Sequence, residues 1–216
     1  MLRCMETIEM DTGYPRLATD TDNGLLLIIS GPSGVGKTTI TRGVERAIGD
    51  SVFSVSCTTR VKTEADTEGV DYHFISDDEF DELVDQDLFL EWADVFGKKY
   101  GTRRRWVEEQ LARGRLVILE IDVKGAGQVK ERMPEAFGLF ILPPSEEELL
   151  NRLQARNREG DDQIQKRFAE AKTEIAAAKS GNVYDHFLMN EDLELAIEEA
   201  IMIVKAARVA RTLRAD

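Results

Sequence analysis

The stretch LLLIISGPSGVGKTT, residues 25–39, decides the fold of this chain. Its first part, Leu25–Ser30, is a short apolar run, which is typical of a strand buried on both faces of a parallel sheet. Its second part, GPSGVGKT at Gly31–Thr38, fits the pattern G-x-x-x-x-G-K-[ST]. A helix is predicted over about residues 37–48, and Gly49 ends it. A buried strand, a glycine-rich turn and a helix together form the setting in which this pattern binds phosphate.

The chemistry of the loop follows from its residue types. Its glycines let the backbone turn tightly, so that several N–H groups point at one phosphate. Lys37 can reach the β- and γ-phosphates of a nucleoside triphosphate, and the Thr38 hydroxyl can bind Mg²⁺. The residues predicted to bind ATP here are Gly31, Pro32, Ser33, Gly34, Val35, Gly36, Lys37, Thr38 and Thr39.

Apolar strands alternate with helices along the rest of the chain. The runs LVILEI (residues 116–121) and FGLFIL (residues 137–142) are further buried strands, and HFLM (residues 186–189) is a short last one. A long helix is expected over residues 162–179, and a second from residue 193 onward. This alternation predicts an α/β protein, a P-loop NTPase with a parallel sheet at its core.

Two segments interrupt the alternation. Residues 54–105, the inserted lobe, carry short strands and polar loops, and residues 146–167, the lid, are polar and contain arginines. Within the lobe we expect a loop over residues 57–71, a strand at 72–75 and a strand or loop at 89–96. The predicted organisation is a flexible tail over residues 1–23 and a single domain over residues 24–216, with its core in residues 24–53, 106–145 and 168–216.

Composition excludes several classes of function. The 216 residues contain 28 Lys and Arg against 41 Asp and Glu, a net charge of −13, which argues against a nonspecific partner for nucleic acid or for an anionic membrane. Cys4 and Cys57 are too few for a disulfide framework. No apolar run is long enough to cross a membrane. We therefore expect a cytoplasmic protein that binds an anion through a few short-range contacts, since its overall field opposes binding.

The phosphate-binding loop leaves three classes open: a switch GTPase, a motor ATPase and a small-molecule kinase. A switch GTPase should carry a guanine-reading N-K-x-D segment, and the sequence has none. A short chain with an inserted lobe and an arginine-bearing lid favours a nucleoside-monophosphate kinase. Such enzymes need a second nucleotide site and a lid that excludes water, because ATP would otherwise be hydrolysed.

Three segments resemble guanylate kinases. They are SVSCTTRVKTEADTEGVDYHFI (residues 54–75), FLEWADVFGKKYGT (residues 89–102) and LEIDVKGA (residues 119–126). The resemblance covers nearly everything from Leu25 to about Val204. It implies transfer of phosphate from ATP to GMP, and also to dGMP, with Mg²⁺ as cofactor, in purine nucleotide metabolism.

The resemblance also implies which residues bind GMP. Glu91 matches the position that reads guanine, whose N1–H and N2–H₂ donors lie side by side and fit a carboxylate. Ser56 and Thr102 match hydroxyls that contact the base. Three residues match those that hold the phosphate of GMP: Arg60, Tyr72 and Tyr100. Asp122, just after a buried strand, matches a residue that holds Mg²⁺ waters or orients the inserted lobe, with Glu120 as its partner or simply a buried acid.

One departure from the family pattern concerns the phosphate of GMP. The pattern T-[ST]-R-x-x-[KR] has a second basic residue where this chain has Thr63, and Lys62 and Ala65 stand where Pro and Gly are usual. Loss of a charged hydrogen bond costs about 1.5–3 kcal/mol. We expect Lys62 to compensate from one position away.

Transfer of the phosphoryl group needs positive charge around it. Beside Lys37, the resemblance implies catalytic arginines in or next to the lid: Arg152, Arg156 and Arg167. The stretch Gln154–Asn157 lacks the glycines that usually flank Arg156, and Arg158 is an extra candidate. Asn190 matches a residue near the adenine of ATP, and it could also cap the last helix, since the two roles are compatible.

Two other readings remain open. The first is a related P-loop kinase that acts on a ribose phosphate, although Glu91 with Ser56 favours a purine acceptor. The second is a guanylate-kinase-like module without activity that binds phosphoproteins, although Lys37 and Thr38 are both present. A homo-oligomer is compatible with the sequence and is not predicted by it.

Overall fold

The computed structural model describes residues 23–95, 97–155 and 161–215. Residues 1–22 of the predicted flexible tail lie outside the described residues, as do Arg156 and Arg158 in the lid. Nine strands are described: β1 Leu25–Ser30, β2 Ser51–Phe53, β3 Cys57–Thr58, β4 His73–Phe74, β5 Phe89–Val95, β6 Lys98–Arg103, β7 Leu116–Glu120, β8 Phe137–Leu142 and β9 His186–Met189.

Seven helices are described between and after these strands. They are α1 Lys37–Ala47, α2 Asp77–Asp85, α3 Arg104–Ala112, α4 Val123–Arg132, α5 Glu146–Ala155, α6 Asp161–Ser180 and α7 Leu193–Ala215. Two of the N-termini are capped by serine side chains: Ser76 accepts a hydrogen bond from the N–H of Glu79, and Ser145 accepts one from the N–H of Glu148.

The main sheet has five strands in the order β2-β7-β1-β8-β9, all parallel. Successive side chains of β1 point to opposite faces of the sheet, so the core has two layers. Leu27 and Ile29 pack with apolar residues of α1 and α7, whereas Leu26 and Ile28 pack on the opposite face with residues of α3, α4 and α6. The predicted α/β fold with a parallel sheet core is confirmed, and both faces of the central strand are buried as its apolar run requires.

A second sheet consists of the strands of the inserted lobe, in the order β4-β3-β6-β5. β5 and β6 form an antiparallel hairpin in which Glu91 lies opposite Thr102. Phe80 of α2 packs on this sheet with Phe89 and Cys57. The lobe therefore has a small core of its own, which holds β5 and β6 rigidly enough to present side chains from them.

Some predicted elements differ from those observed. Residues 57–58 form β3, although we expected only a loop over residues 57–71. A strand of two residues is too short to show an alternating pattern in the sequence. It is defined by its pairing with β4 and β6. Residues 89–95 are a strand, and its partner β6 has no apolar pattern that predicts it.

Among the described residues, no helix is both long enough and apolar enough to cross a membrane.

Candidate active site

The phosphate-binding loop follows β1, the central strand, at the carboxyl edge of the main sheet. Gly34 and Gly36 have φ values of +86° and +98°, which residues with a side chain rarely adopt. A Cβ on Gly36 would lie 2.6 Å from Nδ2 of Asn190. That amide donates a 2.7 Å hydrogen bond to the carbonyl of Val35. The loop is thus shaped by its own glycines and held in place by Asn190.

Asn190 does not cap α7. The N–H groups of Glu194 and Leu195 at the start of that helix bond to the carboxylate of Asp192. Because Asn190 is buried and bonded to the loop, its position favours a role in the ATP site over the capping role.

Lys37 and Thr38 begin α1 directly after the loop. The ammonium group of Lys37 donates to the carbonyls of Gly31 and Pro32, at 2.5 and 3.0 Å. The hydroxyl of Thr38 donates to Oε1 of Glu120 at the end of β7, at 2.7 Å. A hydroxyl and a carboxylate therefore lie together beside the loop, and oxygen atoms of this kind suit Mg²⁺.

One cavity of about 450 Å³ joins the loop to the inserted lobe. Residues from four parts of the chain line it, namely Gly31, Ser33 and Lys37 of the loop, Ser56, Tyr72, Glu91, Ala93, Val95 and Tyr100 of the lobe, Glu120, Ile121 and Asp122 at and just after the end of β7, and Arg167, Glu170, Ala171 and Glu174 of α6. The carboxyl ends of parallel strands are where open α/β sheets bind ligands. The cavity joins three of the predicted ATP residues to five of the predicted GMP residues, and Arg60 and Thr102 are not part of its lining.

Glu91 is the buried acid of this cavity. Only 5% of its surface is exposed, and Oε1 accepts a 2.6 Å hydrogen bond from the hydroxyl of Thr102. Burial raises the pKa of Glu91 from 4.5 to about 7, and the charge of Asp122 adds to this effect. A Cβ on Gly125 would lie 2.5 Å from Oε2 of Glu91, so a side chain at position 125 would force this carboxylate to move. The carboxylate is positioned on both sides, by Thr102 and by the backbone of α4.

The two tyrosines predicted to contact phosphate lie together in the cavity. The rings of Tyr72 and Tyr100 meet edge to face, with centroids 5.6 Å apart. Burial raises the pKa of the Tyr72 hydroxyl, so this hydroxyl stays a neutral donor. Ser56, at the start of β3, lines the same space.

Arg60 is close to these tyrosines and is held by an acid. Its guanidinium carbon lies 5.2 Å from the centroid of the Tyr72 ring. Nη1 and Nη2 donate to the two carboxylate oxygens of Asp66, at 2.9 and 2.7 Å. Lys62 lies near Phe74, with its ammonium nitrogen 5.9 Å from the ring centroid, and Arg60 lies 5.3 Å from the same centroid. The two cations thus flank one ring.

The predicted catalytic arginines occupy different places. Arg167, on α6, reaches the loop and donates a 2.6 Å hydrogen bond to the hydroxyl of Ser33. Arg152, on α5, bonds instead to Glu148 at 2.8 Å and to the carbonyl of Asn190 at 3.1 Å. The structure therefore brings Arg167 into the cavity and places Arg152 beside the Asn190 segment. Arg156 lies outside the described residues.

The carboxylates around the cavity include two that the sequence did not single out, Glu170 and Glu174. Asp122 caps α4 by accepting from the N–H of Gly125, at 2.7 Å. Glu174 of α6 is half-buried, and burial raises the pKa of its carboxyl group while the charge of Lys37 opposes this. Its position in the middle of an amphipathic helix gives no signal that it faces a cavity. Asp66 was also missed, although Thr63-x-x-Asp66 has the spacing of a side-chain-capped turn.

Comparison with known proteins agrees with this geometry. A family model described as guanylate kinase matches residues 23–207. A guanylate kinase from Anaeromyxobacter dehalogenans is 43% identical over 194 residues, covering 89% of this chain and 85% of the relative. One from Symbiobacterium thermophilum is 44% identical over 191 residues, covering 88% and 89%. The crystal structure of guanylate kinase from Anaplasma phagocytophilum superimposes with a TM-score of 0.68 at 32% identity, over 86% of each chain.

Proposed function

This chain belongs to the guanylate kinase family, and we propose that its cavity is the place where ATP and GMP meet for transfer of the γ-phosphoryl group. The reaction is ATP-dependent phosphorylation of GMP. An oxygen of the GMP phosphate forms a bond to the γ-phosphorus, the bond to the β,γ-bridging oxygen breaks, and the products are GDP and ADP. The observation that carries the proposal is the shared lining of the cavity by Lys37 of the loop and Glu91 of the lobe.

On the donor side, the loop backbone and Lys37 hold the β- and γ-phosphates of ATP. We place Arg167 near the γ-phosphate, because its guanidinium already contacts Ser33 of the loop. Arg156 and Arg152 are proposed to bring further positive charge from the lid. Charge neutralisation and in-line positioning account for most of the rate enhancement in such transfers.

On the acceptor side, Glu91 accepts from N1–H and N2–H₂ of guanine, with Ser56 and Thr102 beside it. Adenine has no such pair of donors, so this contact selects GMP over AMP. Arg60, Tyr72 and Tyr100 are proposed to hold the phosphate of GMP by charge-assisted and neutral hydrogen bonds. None of these contacts needs the 2′-hydroxyl, so dGMP is proposed as a second acceptor.

Mg²⁺ is the proposed cofactor. The Thr38 hydroxyl would be its protein ligand, with Glu120 and Asp122 near enough in the cavity to hold its waters. When bound with ATP, the ion neutralises charge on the β- and γ-phosphates. The protein residues position this charge, exclude water and orient the acceptor.

A coupled assay of ADP formation tests the proposal. Wild-type protein is incubated with ATP and Mg²⁺ and with GMP, dGMP, AMP, ribose 5-phosphate or no acceptor. We expect turnover with GMP and dGMP only. Equal turnover without an acceptor would contradict the proposal, and turnover with the ribose phosphate would favour the related kinase. We also propose a cytoplasmic location, because the buried free thiol of Cys57 suits a reducing compartment.

A further inference from the structure

Asp66 and Arg60 form a two-bond ion pair at the edge of the lobe. Both η nitrogens of Arg60 donate to Asp66, and these bonds hold the pKa of the Asp66 carboxyl well below its usual range. Nη1 also donates to the carbonyl of Val61 at 3.3 Å. The two N–H groups at the end of the guanidinium group therefore both donate to Asp66, which lies in the same loop as Arg60.

Thr63 fixes the position of Asp66. Its backbone N–H donates to Oδ2 of Asp66 at 2.7 Å, and its hydroxyl donates to the same oxygen at 2.6 Å. A lysine or arginine at position 63 has no hydroxyl for this second bond. The departure from the family pattern thus removes a cation from the phosphate site and adds a donor to the acid that orients Arg60.

The guanidinium group keeps one edge for a ligand. It has five N–H donors in a rigid plane, and the bonds to Asp66 and Val61 use three of them. The N–H of Nε and the second N–H of Nη2 form a side edge that has no hydrogen-bond partner in the part of the chain that the structure describes. Two parallel donors at one edge match two oxygens of a phosphate.

The ion pair of Arg60 and Asp66 also lies close to the residues predicted to bind the phosphate of GMP. Arg60 packs against Tyr72, whose ring contacts that of Tyr100, and both tyrosines line the cavity. The cavity lining includes both tyrosines but not Arg60, Asp66 or Thr63. The ion pair therefore lies next to the cavity, and Arg60 adjoins it through the ring of Tyr72.

We propose that Asp66, held by Thr63, is a positioning residue for the acceptor: it orients the Arg60 guanidinium so that its Nε edge binds the phosphate of GMP. This inference rests on the proposed function of the cavity. Thr63 then acts on the phosphate indirectly, through Asp66 and Arg60, instead of as a direct cationic ligand.

The alternative role of Asp66 gives the opposite result. A carboxylate that simply competes with the phosphate for Arg60 would weaken GMP binding, and its removal would strengthen it. Asp66→Asn keeps the shape of the side chain and removes the charge, so the direction of its effect separates the two roles.

The experiment is calorimetric titration of wild-type protein and Asp66→Asn with GMP and with guanosine, followed by steady-state kinetics. We expect Asp66→Asn to bind GMP about tenfold more weakly, the effect of one charged hydrogen bond, and to bind guanosine as the wild type does. KM for GMP should rise by the same factor, with kcat and KM for ATP within about twofold. Asp66→Glu, which keeps the carboxylate, should bind GMP more tightly than Asp66→Asn.

Two further variants complete the design. Glu64→Gln removes the same charge from the same loop at an exposed side chain, and GMP binding should be unchanged. Thr63→Val removes the hydroxyl that bonds Asp66, and the Kd for GMP should rise about threefold. Tighter GMP binding by Asp66→Asn would overturn the inference, and so would a parallel loss of guanosine binding, which would show a general effect on the lobe. Wild-type turnover with GMP tests the proposed function separately from these binding ratios.

Discussion

The phosphate-binding loop and the inserted lobe are both assigned to phosphate groups, and they are built differently. The loop is eight consecutive residues, and its shape comes from glycine φ angles and from one buried amide, Asn190. The lobe collects side chains from separate strands and loops, namely Ser56, Arg60, Tyr72, Glu91, Tyr100 and Thr102. A backbone site tolerates little change in sequence, whereas a side-chain site can exchange one contact for another.

The two regions also differ in the partners of their charged side chains. In the loop, Lys37 donates hydrogen bonds to the backbone carbonyls of Gly31 and Pro32. In the lobe, Arg60 already bonds to Asp66, and Glu91 is buried next to Asp122. The lobe therefore holds its functional groups by internal electrostatic contacts, and mutations there should act on GMP binding more than on the chemical step.

Lys37→Ala should have the largest effect and should act on the donor side. We expect kcat to fall about 10³-fold, because the transferred phosphoryl group loses a positioned positive charge. The measurement is the coupled assay at saturating GMP, with thermal unfolding as the control for folding. A loss of less than tenfold would contradict the donor role of the loop.

Glu91→Gln should have the next largest effect and should act on the acceptor side. We expect KM for GMP to rise about 100-fold, because a buried donor pair on guanine loses its charged acceptor. KM for ATP should stay within about twofold, measured in the same assay. If both KM values rose together, the separation of the two regions would fail.

The same residue links GMP binding to pH. With its pKa raised to about 7, Glu91 becomes protonated as the pH falls below 7, so KM for GMP should rise between pH 7 and pH 6. The folded protein keeps this proton while the unfolded chain releases it near pH 4.5, so the contribution of Glu91 to stability falls as the pH rises from about 4.5 to 7. Glu91→Gln should therefore increase the free energy of unfolding at pH 8, by at most about 3 kcal/mol, measured by urea denaturation.

Gly125→Ala tests the side-chain site of the lobe through the backbone of α4, because the added Cβ would occupy the space next to the carboxylate of Glu91. The new Cβ would lie 2.5 Å from Oε2 of Glu91, and Thr102 holds the other oxygen, so the carboxylate must move. We expect KM for GMP to rise about tenfold with kcat within about twofold. Gly127→Ala is the matched control, since a Cβ there meets no described atom within 4 Å. Similar kinetics for the two variants would count against the guanine-reading position of Glu91.

Lys62→Ala should have the smallest effect. If Lys62 compensates for the basic residue that Thr63 replaces, KM for GMP should rise about threefold in Lys62→Ala, since an exposed cation interacts weakly with a phosphate. Lys205→Ala, exposed on α7, controls for the loss of one charge. An unchanged KM for GMP in Lys62→Ala would contradict the compensation and leave Arg60, oriented by Asp66, as the basic residue that binds the phosphate from this loop.

The sequence predicts the main sheet well and the lobe less well, for a physical reason. β1, β7 and β8 are apolar on both faces, so their sequences predict buried strands directly. β3 and β6 are short or polar, and their pairing with each other and with β5 is what makes them strands. Local patterns carry no information about a partner forty residues away.

The sequence by itself determined the phosphate-binding loop, the α/β class and, through resemblance, the residues assigned to GMP, because each rests on residue type and spacing. Only the tertiary structure decided that Thr102 and Gly125 position Glu91, that Asn190 supports the loop, and that Asp66 and Thr63 hold Arg60. These contacts join segments whose side chains meet only after both sheets have formed. Their effects on pKa and orientation depend on distance and burial, which no spacing along the chain specifies.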